Sequence, residues 1–319
     1  MELSLPTGIA PALRGVAIAF GVLLSITLVL ALRRRGANAN ADRRSDAQRS
    51  SLLPRAKLWV IATGVLCSAV TLGPIAMAAL MAAMAWLAAS EVCAMADTHS
   101  QPPRSVLPTG IACALPSLAA PCCGVSGVLV GTLVAGATIA VPALRQTPSG
   151  DALACTARHA ATLIWIGIPL ALLVVIRAQE HGFALVYWLL LVTALTDVCA
   201  MLGGLALGRT PVSPNISPGK TVEGTIAGFA GAGFAGTLAW PVLGERTLPL
   251  FALATMAIAA AGMLGDLFAS WVKRCVGASD YGARLPGLGG IMDRIDSLLF
   301  ASVVGVILLL AGALPEVAL

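Results

Sequence analysis

Charged residues are scarce in this chain. Asp, Glu, Lys and Arg make up 11% of its 319 residues, against about 25% in an average soluble protein. So little charge excludes a soluble globular enzyme, a disordered chain and a nucleic-acid-binding domain. The eight cysteines are scattered, and no C-x-x-C or Cys/His spacing indicates a zinc site or a redox pair. They are therefore interpreted as small apolar residues within helices.

Apolar residues are correspondingly abundant. They form 58% of the sequence, and its mean hydropathy is +0.91. The apolar runs are continuous rather than alternating, which excludes a transmembrane β-barrel. Because one helical crossing needs about 20 apolar residues, the class is an all-α, polytopic integral membrane protein.

The apolar runs predict ten transmembrane helices. Their approximate ranges are 15–32, 58–71, 73–90, 105–122, 124–141, 160–176, 183–203, 222–243, 248–269 and 295–314. They suggest three regions: a retained signal anchor with a basic linker over 1–57, N-terminal helices over 58–182 and a C-terminal catalytic region over 183–319. The first run is not a cleaved signal peptide, because Arg33, Arg34 and Arg35 follow it instead of preceding it.

The placement of basic residues predicts the topology. With the N-terminus outside, five loops face the cytoplasm, and they contain 17 of the 20 Lys and Arg residues. Basic loops mark the cytoplasmic side. Two unusually polar loops, 204–220 and 270–294, therefore lie on the same, cytoplasmic, side of the membrane. The basic linker is also suited to anionic lipid head groups.

Four aspartates stand inside or at the ends of predicted spans. Ionisable residues are costly there and are functional candidates; the four are Asp197, Asp266, Asp293 and Asp296. Asp293 and Asp296, at positions i and i+3, share one helix face. Carboxylates without a Cys or His cluster suit a hard cation such as Mg²⁺. The structural alternative is that each Asp caps a helix or pairs with an Arg.

Basic residues lie close to these carboxylates in the sequence. Asp266, Ser270 and Lys273 follow the i, i+4, i+7 spacing of one helical stripe. Lys273 is followed by Arg274, and Arg294 by Ile295 and Asp296. A metal with Lys and Arg clamps is the pattern expected for phosphate chemistry. The alternative role for these cations is interfacial anchoring.

The other polar loop ends in Ser217-Pro218-Gly219-Lys220-Thr221. It is not a P-loop, because the first required glycine falls at Pro214. Ser217 before Pro218 predicts a helix cap there, with free backbone N–H groups and Lys220 forming a phosphate site. Glu223 adds a carboxylate, and the stripe Gly224, Gly228, Ala232 and Gly236 predicts close helix packing.

The two loops together resemble the phosphatidate cytidylyltransferase (CDP-diacylglycerol synthase) family of bacterial membrane enzymes. The resemblance rests on Asp197, on the run 216–224 and on the gapless stretch 265–298 with its Asp293-Arg294-Ile295-Asp296 motif. It covers about the last 125 residues. The family's Lys, His and Glu are replaced here by Ser279, Leu288 and Ala269.

The resemblance implies a CTP-dependent nucleotidyltransferase that converts phosphatidic acid to CDP-diacylglycerol and pyrophosphate. It implies catalytic roles for Asp266, Asp293, Asp296 and Lys273, and Mg²⁺ binding by Asp197 with the three aspartates; a second cation is left open. The implied substrate-binding residues are Ser217, Lys220, Thr221, Glu223, Ser270, Arg274, Asp280, Gly289, Gly290 and Arg294.

The implied partners are CTP, phosphatidic acid and the lipid bilayer, without nucleic acid; a homodimer is left open. The expected location is a bacterial inner membrane, with the site facing the cytoplasm. Two alternatives stay open: a non-catalytic or altered-substrate paralogue that binds lipid phosphate, and an ion-coupled transporter. A transporter predicts repeat symmetry and charge near the bilayer midplane.

Overall fold

Helices form most of the chain in the computed structural model, which describes residues 61–96, 106–145, 147–243, 247–282 and 289–314. The helices are α1 (Ile61–Leu72), α2 (Pro74–Ala96), α3 (Val106–Leu144), α4 (Gly150–Thr162), α5 (Ile168–Arg177), α6 (Gly182–Leu207), α7 (Val222–Leu243), α8 (Leu248–Cys275) and α9 (Met292–Leu310). A π-helical turn, Leu163–Gly167, joins α4 to α5, and the strands β1 (Pro211–Ser213) and β2 (Ser217–Thr221) lie between α6 and α7.

Five helical segments of the described ranges are long and apolar enough to cross a membrane: Pro74–Met95, Leu107–Leu144, Gly150–Arg177, Gly182–Leu207 and Leu248–Cys275. The helical membrane class is therefore supported. The predicted first span and the basic linker lie outside the described residues, so the count of ten helices stays a prediction.

The longest helix, α3, reverses direction part-way along its length. Its backbone leaves helical geometry at Cys123 and Gly124, and Gly124 has φ +56°. Beyond this point, Gly131 lies against the backbone of Pro116, so the two halves pack on each other. The predicted break between the runs 105–122 and 124–141 is confirmed at Cys123 and Gly124, where glycine permits the positive-φ backbone that a tight reversal requires.

Several predicted loops are wrong at their ends because helices continue into them. Residues 150–159 are helical, since Ser149 caps α4 by accepting the Ala152 N–H at 3.1 Å. Helix α2 continues past Ser90 to Ala96, and α8 continues to Cys275. At the other end of the last polar loop, α9 begins at Met292 rather than at Ile295. Polar residues at these ends were interpreted as loop, although a helix tolerates them where it leaves the apolar layer.

The loop predicted to be irregular contains an antiparallel β-hairpin. Pro211 pairs with Thr221, and Ser213 pairs with Ser217. The predicted cap at Ser217 is therefore wrong. Helix α7 begins at Val222, and Thr221 caps it, because its Oγ1 accepts the Gly224 N–H at 3.1 Å.

Small residues bring α7 against α6. A Cβ atom at Gly224 would lie 2.6 Å from the Ala200 carbonyl oxygen, and one at Gly228 would lie 3.0 Å from that of Thr196. The predicted close packing of the Gly224 stripe is confirmed for these two positions. It fixes the segment of α6 that contains Asp197.

Helices α8 and α9 approach each other in the same way. A Cβ atom at Gly265 would lie 2.5 Å from the Asp296 carbonyl oxygen. This contact sets Asp266 on α8 beside the first turns of α9. The aspartates of α6, α8 and α9 thereby come to one region of the molecule.

Candidate functional site

An ion pair joins the β-hairpin to α8. The Nζ atom of Lys220, at the end of β2, lies 2.7 Å from Oδ2 of Asp266. The two side chains are 28% and 35% exposed. The Nζ atom of Lys220 is itself buried, so the exposed part of this side chain is its carbon stem.

A second ion pair joins α8 to α9. The Lys273 Nζ atom lies 2.8 Å from Oδ1 of Asp293, and the two side chains are only 14% and 12% exposed. The other carboxylate oxygen of Asp293 accepts the backbone N–H groups of Tyr281 and Gly290, each at 3.3 Å. Asp293 thus holds both ends of the loop 281–290 as well as Lys273.

Asp197 and Asp296 are linked through one serine. The Ser297 hydroxyl donates to Oδ2 of Asp197 at 3.1 Å, and the Ser297 N–H donates to Oδ1 of Asp296 at 2.8 Å. Asp296 is buried. The charge of Asp266 acts on both carboxylates, so three aspartates from three helices share one electrostatic environment. Ser297 was not identified from the sequence, although it directly follows the Asp293–Asp296 motif.

This donor set has the chemistry of a Mg²⁺ site, because its ligands are carboxylate oxygens. Within the described ranges, no group of three or more His, Cys, Asp or Glu side chains has a ready ligating arrangement. Lys220 and Lys273 instead neutralise Asp266 and Asp293. The described residues therefore show no formed cation site, and Mg²⁺ binding by Asp197, Asp266, Asp293 and Asp296 stays a prediction.

Arg274 and Glu223, both predicted to bind substrate, make backbone contacts at the hairpin. Arg274 Nε donates to the Ile216 carbonyl oxygen at 3.1 Å. Glu223 Oε2 accepts the N–H groups of Arg209 and Thr210 at 3.0 and 3.2 Å. These bonds fix the hairpin that carries Lys220. Their role toward substrate stays a prediction, as do those of Ser217 on β2 and of Thr221.

The other predicted site residues lie on α8, α9 and the loop between them. Ser270 is buried within α8, whereas Asp280 is exposed and accepts from the Ser279 hydroxyl at 2.8 Å. Gly289 has φ +86°, a backbone that favours glycine. Gly290 touches two carboxylates, and the exposed Arg294 lies in the first turn of α9. Leu288 lies outside the described residues.

The Tyr281 side chain anchors this loop to α8, and the sequence did not predict this role. Its hydroxyl donates to the Ala269 carbonyl oxygen at 2.7 Å, and the Lys273 ammonium lies 5.4 Å from its ring centroid. Burial, followed by the charges of Asp293 and Asp296, raises the pKa of the phenol. The hydroxyl therefore remains a donor. A tyrosine directly after Asp280 gave no periodic signal that could have identified it.

Glu91 reaches the site from the N-terminal half and was interpreted as part of a polar loop. It lies on α2 and is 2% exposed. Its Oε2 atom accepts the Met292 N–H at 3.0 Å. The signal that could have found it is a lone carboxylate at the end of an apolar run.

The site thus combines carboxylates of α2, α6, α8 and α9 with ammonium groups of α8 and the hairpin. The sequence matches the model of the cytidylyltransferase family over residues 54–311. That match covers most of the chain, and the chain belongs to this family.

Curated relatives agree with the family assignment. The chain is 37% identical to a phosphatidate cytidylyltransferase of Brucella suis over 177 residues, which are 54% of this chain and 62% of that protein. It is 40% identical to the phosphatidate cytidylyltransferase of Helicobacter pylori over 126 residues (39% and 46% of the two chains). It is also 40% identical to that of Thermotoga maritima over 138 residues (40% and 50%). The matches therefore span about half to three-fifths of those proteins.

Proposed function

We propose that this protein is a phosphatidate cytidylyltransferase, which converts CTP and phosphatidic acid to CDP-diacylglycerol and pyrophosphate. The observation that carries the proposal is the pair of Lys–Asp contacts, Lys220–Asp266 and Lys273–Asp293, in a member of the cytidylyltransferase family. Lysines paired with carboxylates suit the transfer of a charged phosphoryl group. The names of the relatives supply the substrates.

In the proposed reaction, an oxygen of the lipid phosphate attacks the α-phosphorus of CTP. A new P–O bond forms, the bond from the α-phosphorus to the bridging oxygen of the β-phosphate breaks, and pyrophosphate leaves with that oxygen. Lys220 and Lys273 bind phosphate oxygens and stabilise the charge on the leaving group. Both ammonium groups already lie beside the aspartates that would face the same phosphates.

Mg²⁺ is the proposed cofactor, and Asp197, Asp266 and Asp296 would hold it. Asp293 would join them only after it releases Lys273, because its carboxylate already makes three contacts. When bound, Mg²⁺ would neutralise charge on the transferring phosphate oxygens. In this arrangement Lys220 would leave Asp266 for a phosphate group, and the Asp266 carboxylate would then bind the cation.

The proposed location is a bacterial inner membrane, with the site on the cytoplasmic side where CTP is available. Five candidate spans and the bias of basic residues support it. The three predicted regions and the homodimer stay predictions. Lipid phosphate would reach the aspartates from the inner leaflet.

The deciding experiment uses the purified full-length protein with radiolabelled CTP, phosphatidic acid and Mg²⁺. We expect a labelled lipid and an equal amount of pyrophosphate. Labelled CTP that binds without forming lipid would instead support the non-catalytic paralogue. A labelled product formed only from another lipid phosphate would support the altered-substrate alternative.

A further inference from the structure

We infer that Glu91 is a positioning residue for the aspartates of α9, a role that rests on the proposed function. It lies on α2, 201 residues before its hydrogen-bond partner Met292. This hydrogen bond joins the N-terminal half of the chain to the beginning of α9. The inference therefore connects the two halves of the chain.

Helix α9 cannot cap its own beginning. Its N-cap residue is Ile291, whose side chain makes no capping hydrogen bond. The first N–H groups of a helix have no partner within the helix. The Glu91 carboxylate supplies one from α2, because its Oε2 accepts the N–H of Met292 at 3.0 Å. A negative charge at this end also interacts favourably with the helix dipole.

The same carboxylate lies against the glycines at the two ends of the loop. A Cβ atom at Gly290 would lie 2.8 Å from Glu91 Oε2 and 3.1 Å from Asp293 Oδ2. A Cβ atom at Gly282 would lie 3.3 Å from the Glu91 carboxyl group. Glu91 and Asp293 therefore approach Gly290 together, and both hold the turn that begins α9.

Burial makes this contact specific. Glu91 is 2% exposed, and its Oε1 atom has no hydrogen-bond partner among the residues that the structure describes. A carboxylate is buried at a high cost unless its contacts compensate for it. The Met292 bond orients the first turn of α9, and this turn sets Asp293 and, three residues later, Asp296.

The test compares three variants of the full-length protein in nanodiscs. Glu91→Gln keeps an acceptor of the same length. Glu91→Asp keeps the charge but shortens the side chain by one methylene group. Glu91→Met removes both the charge and the oxygen acceptor. Ser90→Ala is the control, since Ser90 is also buried on α2 and its hydroxyl donates to the Leu87 carbonyl oxygen of the same helix.

We expect kcat to fall about tenfold or more in Glu91→Asp and Glu91→Met, at unchanged KM for both substrates. Glu91→Gln should stay within about fivefold of the wild type, the size of a charge–dipole interaction at a helix N-terminus. Hydrogen exchange at the Met292 amide should accelerate in the Asp and Met variants only. A merely structural Glu91 would lower the yield of folded protein and leave kcat per folded molecule unchanged.

Wild-type kcat and Met292 exchange in Glu91→Asp would overturn the inference, as would a Glu91→Gln variant impaired as severely as Glu91→Met. The exchange measurement does not depend on turnover. An inactive wild-type protein would therefore reject the proposed function while the exchange results still decide the role of Glu91.

Discussion

The Nζ atom of Lys220 lies 2.7 Å from Oδ2 of Asp266, and this ion pair connects a β-hairpin to a long helix that is distant in sequence. It is paralleled by Lys273 and Asp293, which connect that helix to α9. In each pair a predicted phosphate ligand contacts a predicted metal ligand. The structure therefore brings together the two kinds of group that the proposed reaction needs.

The first prediction concerns the two lysines. Lys220→Met and Lys273→Met should each lower kcat/KM for CTP by about 10- to 100-fold, because each removes a charged contact to phosphate. The measurement varies CTP and phosphatidic acid separately, per folded molecule. Arg145→Met is the matched control: Arg145 is exposed at the end of α3, in another predicted cytoplasmic loop. A loss seen only toward phosphatidic acid would assign the lysines to the lipid phosphate.

The second prediction concerns the carboxylates. Asp266→Asn and Asp296→Asn should reduce turnover by orders of magnitude at saturating Mg²⁺, since the amide is a weaker ligand for a hard cation. Asp151→Asn, an exposed first-turn residue of α4, should leave turnover unchanged. Mn²⁺ binding followed by electron paramagnetic resonance gives a readout besides activity. Normal Mn²⁺ binding in both site variants would remove these aspartates from the metal site.

The third prediction concerns Gly290. A Cβ atom here would approach Glu91 Oε2, Asp293 Oδ2 and the Gly282 nitrogen within 2.8, 3.1 and 3.0 Å. Gly290→Ala should therefore displace the beginning of α9 and lower kcat by about tenfold or more. Gly136→Ala is the control, because the added Cβ atom would have no neighbour within 4 Å. This variant should be neutral or slightly stabilising, since alanine favours the helix more than glycine does. Equal activity of the two variants would contradict the prediction.

The fourth prediction concerns the hairpin. Glu223 accepts the N–H groups of Arg209 and Thr210, the two residues joined by a bond that trypsin can cleave. Glu223→Ala should increase the rate of cleavage after Arg209 about tenfold, since it frees both N–H groups. Mass spectrometry of a trypsin time course measures this rate. An unchanged rate together with a raised KM for substrate would instead support the direct substrate contact predicted from the sequence.

The fifth prediction concerns topology. Ser279 is exposed between α8 and α9, in a loop predicted to be cytoplasmic. With the eight native cysteines replaced, Ser279→Cys should react with an impermeant thiol reagent only after intact cells are permeabilised. Labelling of intact cells from outside would show that this loop lies on the external side, which contradicts the predicted orientation. A cysteine at the N-terminus should show the opposite pattern.

Sequence patterns were reliable where one helix contains the whole signal. Asp266, Ser270 and Lys273 do lie on one helix, α8, and Asp293 and Asp296 on another, α9. The partners of these residues were not predicted. Lys273 was expected to work beside Asp266, but it contacts Asp293, whereas Asp266 contacts Lys220.

Hydropathy and the long polar motifs determined the membrane class, the family and most of the candidate residues, because local spacing encodes each of them. The tertiary structure alone decided how those residues meet. Several helices begin or end at residues other than those predicted, because capping and packing as well as polarity determine where a helix ends. Thr221, for example, caps the beginning of α7. The hydrogen bond between Glu91 and Met292 is seen only in the folded protein, where α2 packs beside α9. A contact between residues 201 positions apart produces no periodic pattern in the sequence. Such contacts between distant residues depend on how the helices pack. The packing in turn depends on the small residues at all of the helix interfaces together.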